Sequence, residues 1–162
     1  MSTVTTESYG SATAITLTLA SLAASTTAGR EGTAVDNVSP GYLDALVQVK
    51  VKTGSGTQAD LQAVQVYIAG SVDAGTTWPD VVTGSDAAIT PQSPTQLLIA
   101  QTLSCPTAST TYVGEPFSVA RLFGGVMPTK WSVIIRNRTN QTLDSTAGNH
   151  KVQYVGINAL TT

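Results

Sequence analysis

Apolar and polar residues alternate with a period of two along much of this chain, which predicts strands with one buried and one solvated face. The best match lies in residues 42–53, where Val47, Val49 and Val51 alternate with Gln48, Lys50 and Lys52 before Gly54-Ser55-Gly56 ends the run. Residues 62–72 repeat the pattern, with Val64, Val66 and Ile68 on one face and Gln65 and Tyr67 on the other. These two segments read as neighbouring antiparallel strands. In 131–136, Trp131, Val133 and Ile135 alternate with Ser132, Ile134 and Arg136; a further strand follows at 151–160 after a polar loop, so this stretch reads as a strand pair. Ile15, Leu17 and Leu19 predict a first strand at 13–22, and 97–104 and 110–113 read as strands separated by Pro106.

Between these runs lie the breakers. Residues 23–40 form a long polar connection holding Gly29-Arg30-Glu31-Gly32, and connections of that length in a compact domain are usually functional or ordered by a partner. Residues 73–96 carry Gly75, Pro79, Gly84, Pro91 and Pro94, which stop any helix or central strand, and Trp78 sits among them as a lid over the core or as an anchor for a partner. Glu115-Pro116 precedes a single helical turn at 118–123, closed by Gly124-Gly125. Seven or eight short strands without an amphipathic helix predict an all-β fold: an antiparallel β sandwich with long loops, for which jelly-roll connectivity is one arrangement. Trp131 and Tyr154 are expected to close one end of its core.

Composition sharpens this picture. The 162 residues suit one domain, read as residues 13–162, preceded by an extended N-terminal arm at 1–12 in which Tyr9 is the large side chain. Only 11% of residues are charged, against roughly a quarter in an average domain, which suits a protein packed against neighbours. A formal charge of −2 without clustered Lys and Arg argues against nucleic acid as a partner. The apolar-looking stretch from Ala12 to Ser25 follows Glu7 rather than Lys or Arg and alternates, so it reads as strand rather than export signal; no run suits a membrane span.

Chemistry is sparse. His150 is the sole histidine, Cys105 the sole cysteine, and no nucleophile elbow, calcium loop or zinc spacing is present. Asp73, Asp80 and Asp86 share one loop but look like ordinary turn residues. No enzyme activity, cofactor or metal is expected.

Two groups of residues are familiar together: Ala28-Gly29-Arg30-Glu31 with Val35-Asp36-Asn37 and Tyr42-Leu43-Asp44, and Leu122-Phe123-Gly124-Gly125-Val126-Met127-Pro128-Thr129-Lys130-Trp131 with Ala147-Gly148-Asn149-His150. The arrangement resembles small β-rich virion structural proteins of tailed bacteriophages, of the capsid decoration or cement type. That resemblance implies a non-enzymatic subunit present in many copies on the capsid surface, made in the host cytoplasm, bound to the major capsid protein and assembled as a trimer or dimer. A tail or fibre component, and a carbohydrate-binding sandwich using Trp78 or Tyr67 as a platform, are the alternatives. The residues expected to touch the partner are Tyr9, Arg30, Glu31 and Trp78.

Overall fold

The computed structural model describes residues 5–161 apart from residues 60 and 94. Among the described residues twelve strands form two antiparallel sheets packed face to face. Sheet A contains β1 (Thr5–Tyr9), β2 (Thr13–Ala14), β5 (Asp44–Lys52), β9 (Thr111–Val113), β10 (Phe117–Ser118) and β12 (Lys151–Thr161), in the order β1-β12-β5-β10, with β2 beside β12 and β9 beside β5. Sheet B contains β3 (Gly29–Glu31), β4 (Val35–Asp36), β6 (Ala63–Ser71), β7 (Ala87–Ile89), β8 (Leu98–Ser104) and β11 (Lys130–Arg138), in the order β7-β3-β11-β6-β8, with β4 also beside β11.

β1 with β2, β3 with β4, and β9 with β10 are interrupted strands, since each pair lies along one side of a single neighbour. Counted so, and with β7 as an addition at one edge, eight strands cross between the sheets in the connectivity of a jelly roll.

The strands alternate as the residues require. Val47, Val49 and Val51 point inward from β5, Val64, Val66 and Ile68 from β6, and Trp131, Val133 and Ile135 from β11, all without solvent exposure. Trp131 meets the Tyr154 ring of the other sheet edge to face at 5.4 Å, the expected closure of the core. Gly156 is required at its place on β12, because a Cβ there would fall within the Tyr42 ring. The single turn α1 (Val119–Leu122) starts at Ser118, whose hydroxyl accepts the Arg121 N–H, and stops before the left-handed Gly124 and Gly125. Cys105 is fully buried in the core, where burial pushes its thiol up to about 11.

Pairing departs from the sequence reading in several places. β5 and β6 are not neighbours but lie in different sheets, as do β11 and β12, so the connections between them cross the sandwich instead of closing hairpins. Residues 15–28 hold no strand. Ile15 and Leu19 reach the core from irregular backbone, whose N–H and C=O groups bond singly to Val152, Thr33 and Asp144. The connection at 23–40, read as a loop, contains β3 and β4, both paired to β11. Of the N-terminal arm, residues 1–4 lie outside the described residues. Thr5–Tyr9 forms the edge strand β1, paired from Thr5↔Thr161 to Tyr9↔Ile157.

Candidate interaction surfaces

Three of the four expected contact residues are committed inside the fold. Glu31, with no exposed surface, points out from β3 under the 72–97 segment and accepts the backbone N–H groups of Thr83 and Gly84 and the Thr83 hydroxyl. Burial raises its pKa above the ordinary value, and these donors only partly offset that rise. Arg30 donates from Nε to Asp86 at 2.6 Å and from its guanidinium to the Asp86 carbonyl. Asp86 also accepts from the Thr18 backbone and hydroxyl, so one carboxylate ties three segments. Trp78 is half-buried; its indole N–H donates to the Gly75 carbonyl and its ring packs against Gly84. With Tyr67, Ala69, Val82, Ile89, Leu97 and Ile134 it forms a second apolar cluster on the outer face of sheet B. Trp78 is therefore a lid.

The loop acids hold turns. Asp73 accepts from Thr77 and from the Ser71 hydroxyl, which lower its pKa to about 2. Burial works against ionisation of Asp80 and Asp86, yet the Gln92, Thr95 and Gln96 donors on Asp80, and Arg30 and Thr18 on Asp86, bring both below the usual range. Asp144 is held low by the Asn149 amide, the Thr146 N–H and Lys52. His150 bridges the Lys52 N–H and the Asp144 carbonyl; Nδ1 accepts, which assigns the proton to Nε2. Tyr67 lies beneath the Arg136 guanidinium, 5.4 Å from its ring centroid, and gives its hydroxyl to Gln65. Tyr67 is buried, with Arg136 against its ring, whereas Trp78 keeps part of its surface exposed. Among the described residues no group of three or more His, Cys, Asp or Glu could hold a metal ion, and no helix is long and apolar enough to cross a membrane.

Tyr9 differs. It is 58% exposed, its hydroxyl donates to Glu7, and that bond raises its pKa. It lines a shallow groove of about 170 Å³ with Leu46, Pro116 and Val155 on the outer face of sheet A. Along that face the outward positions are Ile157, Val155, Gln153 and Lys151 of β12 beside Asp44, Leu46, Gln48 and Lys50 of β5. On this face Leu46, Gln48, Gln153 and Val155 are half-buried and Ile157 is buried, and among the described residues Tyr9, Leu46, Pro116 and Val155 border an open groove at its centre.

Exposed valines stand on the loops at one end of the sandwich. Asp36, Lys130 and Ser71 are register neighbours at the ends of β4, β11 and β6. The loops leaving those strands expose Val38 at 58%, Val72 at 85% and Val126 at 72%. Thr129 joins them: its carbonyl accepts the Asn37 N–H, and its hydroxyl bonds the Ser71 carbonyl and the Ala74 N–H. The sequence reading did not single out these valines: Val72 closes the alternating segment 62–72 on the parity of its core face, but the strand ends at Ser71 and leaves it in the loop, while Val38 and Val126 lie in breaker-rich connections.

Comparison with protein families, with curated proteins and with solved structures finds no match to the chain.

Proposed function

We propose that this protein is a non-enzymatic structural subunit of a bacteriophage virion, a decoration or cement protein that binds the assembled capsid lattice. The observation that carries the reading is the end of the sandwich where Val38, Val72 and Val126 stand exposed on loops that hydrogen bonds through Thr129 tie together. The jelly-roll framework, the sparse charge and the resemblance in residues 28–44 and 122–150 support it; jelly rolls recur in capsid and lectin domains, so the fold agrees with the reading without deciding it. The carboxylates and His150 serve local hydrogen bonds, so they support a protein that works by occupying a surface. Binding only the assembled shell would stabilise it by mass action, about 2.7 kcal/mol per site at a hundredfold excess over the dissociation constant.

The test is co-sedimentation of the purified chain with empty expanded shells. Wild type is expected to pellet with shells and to raise their disassembly temperature, and Val72→Lys with Val126→Lys is expected to abolish both effects while the chain stays folded. Association with tails alone, or binding untouched by the two lysines, would overturn the reading.

A further inference from the structure

We propose that the outer face of sheet A is a twofold interface, packed against the same face of a second copy with the strands antiparallel. The face has the anatomy of an interface: an apolar centre of Tyr9, Leu46 and Val155, flanked by Gln48 and Gln153, with charge at its ends. The charge is divided along the strands. Lys50 and Lys151 are register partners at one end, while Glu7, beside Ala159, lies at the other.

Lys151 and Ala159 are each four residues from Val155 along β12, a distance of ~14 Å at ~3.4 Å per residue. Turning a second copy about an axis that crosses the strands at Val155 therefore sets Lys151 over the row that holds Glu7. The same operation sets Val155 and Leu46 over their counterparts. An axis along the strands would instead stack Lys50 and Lys151 on themselves, which like-charge repulsion disfavours, so charge selects the antiparallel arrangement. The strands of sheet A lie about 4.8 Å apart, β12 and β5 running eleven and nine residues and the interrupted strands beside them fewer, for a flat footprint of ~500 Å² that corrugation enlarges toward the ~800 Å² per partner of a stable interface.

Antiparallel packing sends the two valine tips to opposite ends of the dimer. Resting on the capsid reading, this makes the dimer a bivalent strut that joins two equivalent sites on neighbouring capsomers, with the gain in avidity that linkage brings. The pairing itself depends only on the face.

Sedimentation equilibrium on the full chain tests it, with near-ultraviolet circular dichroism confirming that each variant is folded. Wild type should be a dimer. Glu7→Lys and Lys151→Glu should each weaken dimerisation about tenfold, since each converts two symmetry-related attractions into repulsions. The double variant Glu7→Lys/Lys151→Glu should recover affinity to within about threefold of wild type by re-forming the pairs with their signs exchanged. Val155→Lys should give a monomer. A monomeric wild type, a double variant weaker than either single, or a dimer indifferent to Val155→Lys would overturn the proposal. The co-sedimentation assay keeps the two readings apart: shell binding by a monomer sinks the dimer alone, and a dimer that ignores shells sinks the capsid reading alone.

Discussion

The two outer faces of this sandwich have opposite fates. On sheet B, Tyr67 and Ile134 are covered by Trp78, Val82, Ile89 and Leu97 from the 72–97 segment, and the buried carboxylate of Glu31 fastens that segment from beneath. On sheet A, Leu46 and Val155 face outward, half-buried, and line an open groove with no segment of the described residues folded across it as 72–97 is across sheet B. Both faces come from alternating strands of similar character, so the difference lies in what the connections do. The segment after β6 is long enough to fold back and carries its own apolar residues and acids; the segments around β5 and β12 cross to the other sheet or run along an edge. A face covered by its own chain is finished by folding. A bare one is left to be finished by association.

The largest expected effect falls on the covered face. Glu31→Ala would strip the Thr83 and Gly84 N–H groups of their acceptor and remove the anchor of the segment, and about 3 kcal/mol of stability should be lost, read as a lower urea midpoint. Trp78→Ala should cost about 2 kcal/mol, less than for a wholly buried aromatic, because the ring is only half covered. An unchanged midpoint in either variant would mean that the 72–97 segment merely lies on sheet B.

Acid should loosen the same cover. The pKa values of Asp73, Asp80 and Asp86 are lowered by folding, so their contribution is present above the ordinary value of 3.8 and is lost as pH falls, for Asp73 down to about 2. Glu31 works in the opposite sense: its pKa is raised, so its contribution is present below the ordinary 4.5 and is lost as pH rises through the folded value. Three groups against one predict a net loss of stability below pH 3.8, with amide exchange accelerating in 72–97 before it does in β5 or β11. Uniform exchange across those regions would contradict the account. The smallest effect belongs to the bare face, where Leu46→Ala in the isolated chain should cost only about 0.5 kcal/mol; a loss above about 2 kcal/mol would show that the face is already covered.

Much of the architecture was legible in the residues. The strands at 44–52, 63–71, 98–104, 130–138 and 151–161, and the turn at 119–122, follow from alternation and from Pro and Gly placement. Strand partners did not follow, because alternation fixes which face a side chain takes and says nothing about which strand lies beside it. Thus β5 and β6 read as neighbours although their valines meet across the core. Glu31 was misread for a related reason. An acid in a polar, Gly-flanked stretch looks exposed, and the groups that satisfy it lie 52 and 53 residues away in the chain. Ile15 and Leu19 show the converse: they fill core sites as predicted, but from backbone with no ladder. Of the four expected contact residues Tyr9 is the most exposed, because its strand lies at the sheet edge and its ring turns toward the outer face, while Arg30 and Trp78 are half-buried and Glu31 is buried.

Hydroxyl-radical footprinting of the chain, free and then bound to assembled shells, tests most directly the claim that one face and one end remain to be completed by other molecules. The account predicts protection on the shell at Val38, Val72 and Val126, concentration-dependent protection in the free protein at Tyr9, Leu46 and Val155, and no change at Trp78. New protection centred on Trp78 and the 72–97 segment, with the valine tip and the sheet A face unaltered, would contradict it.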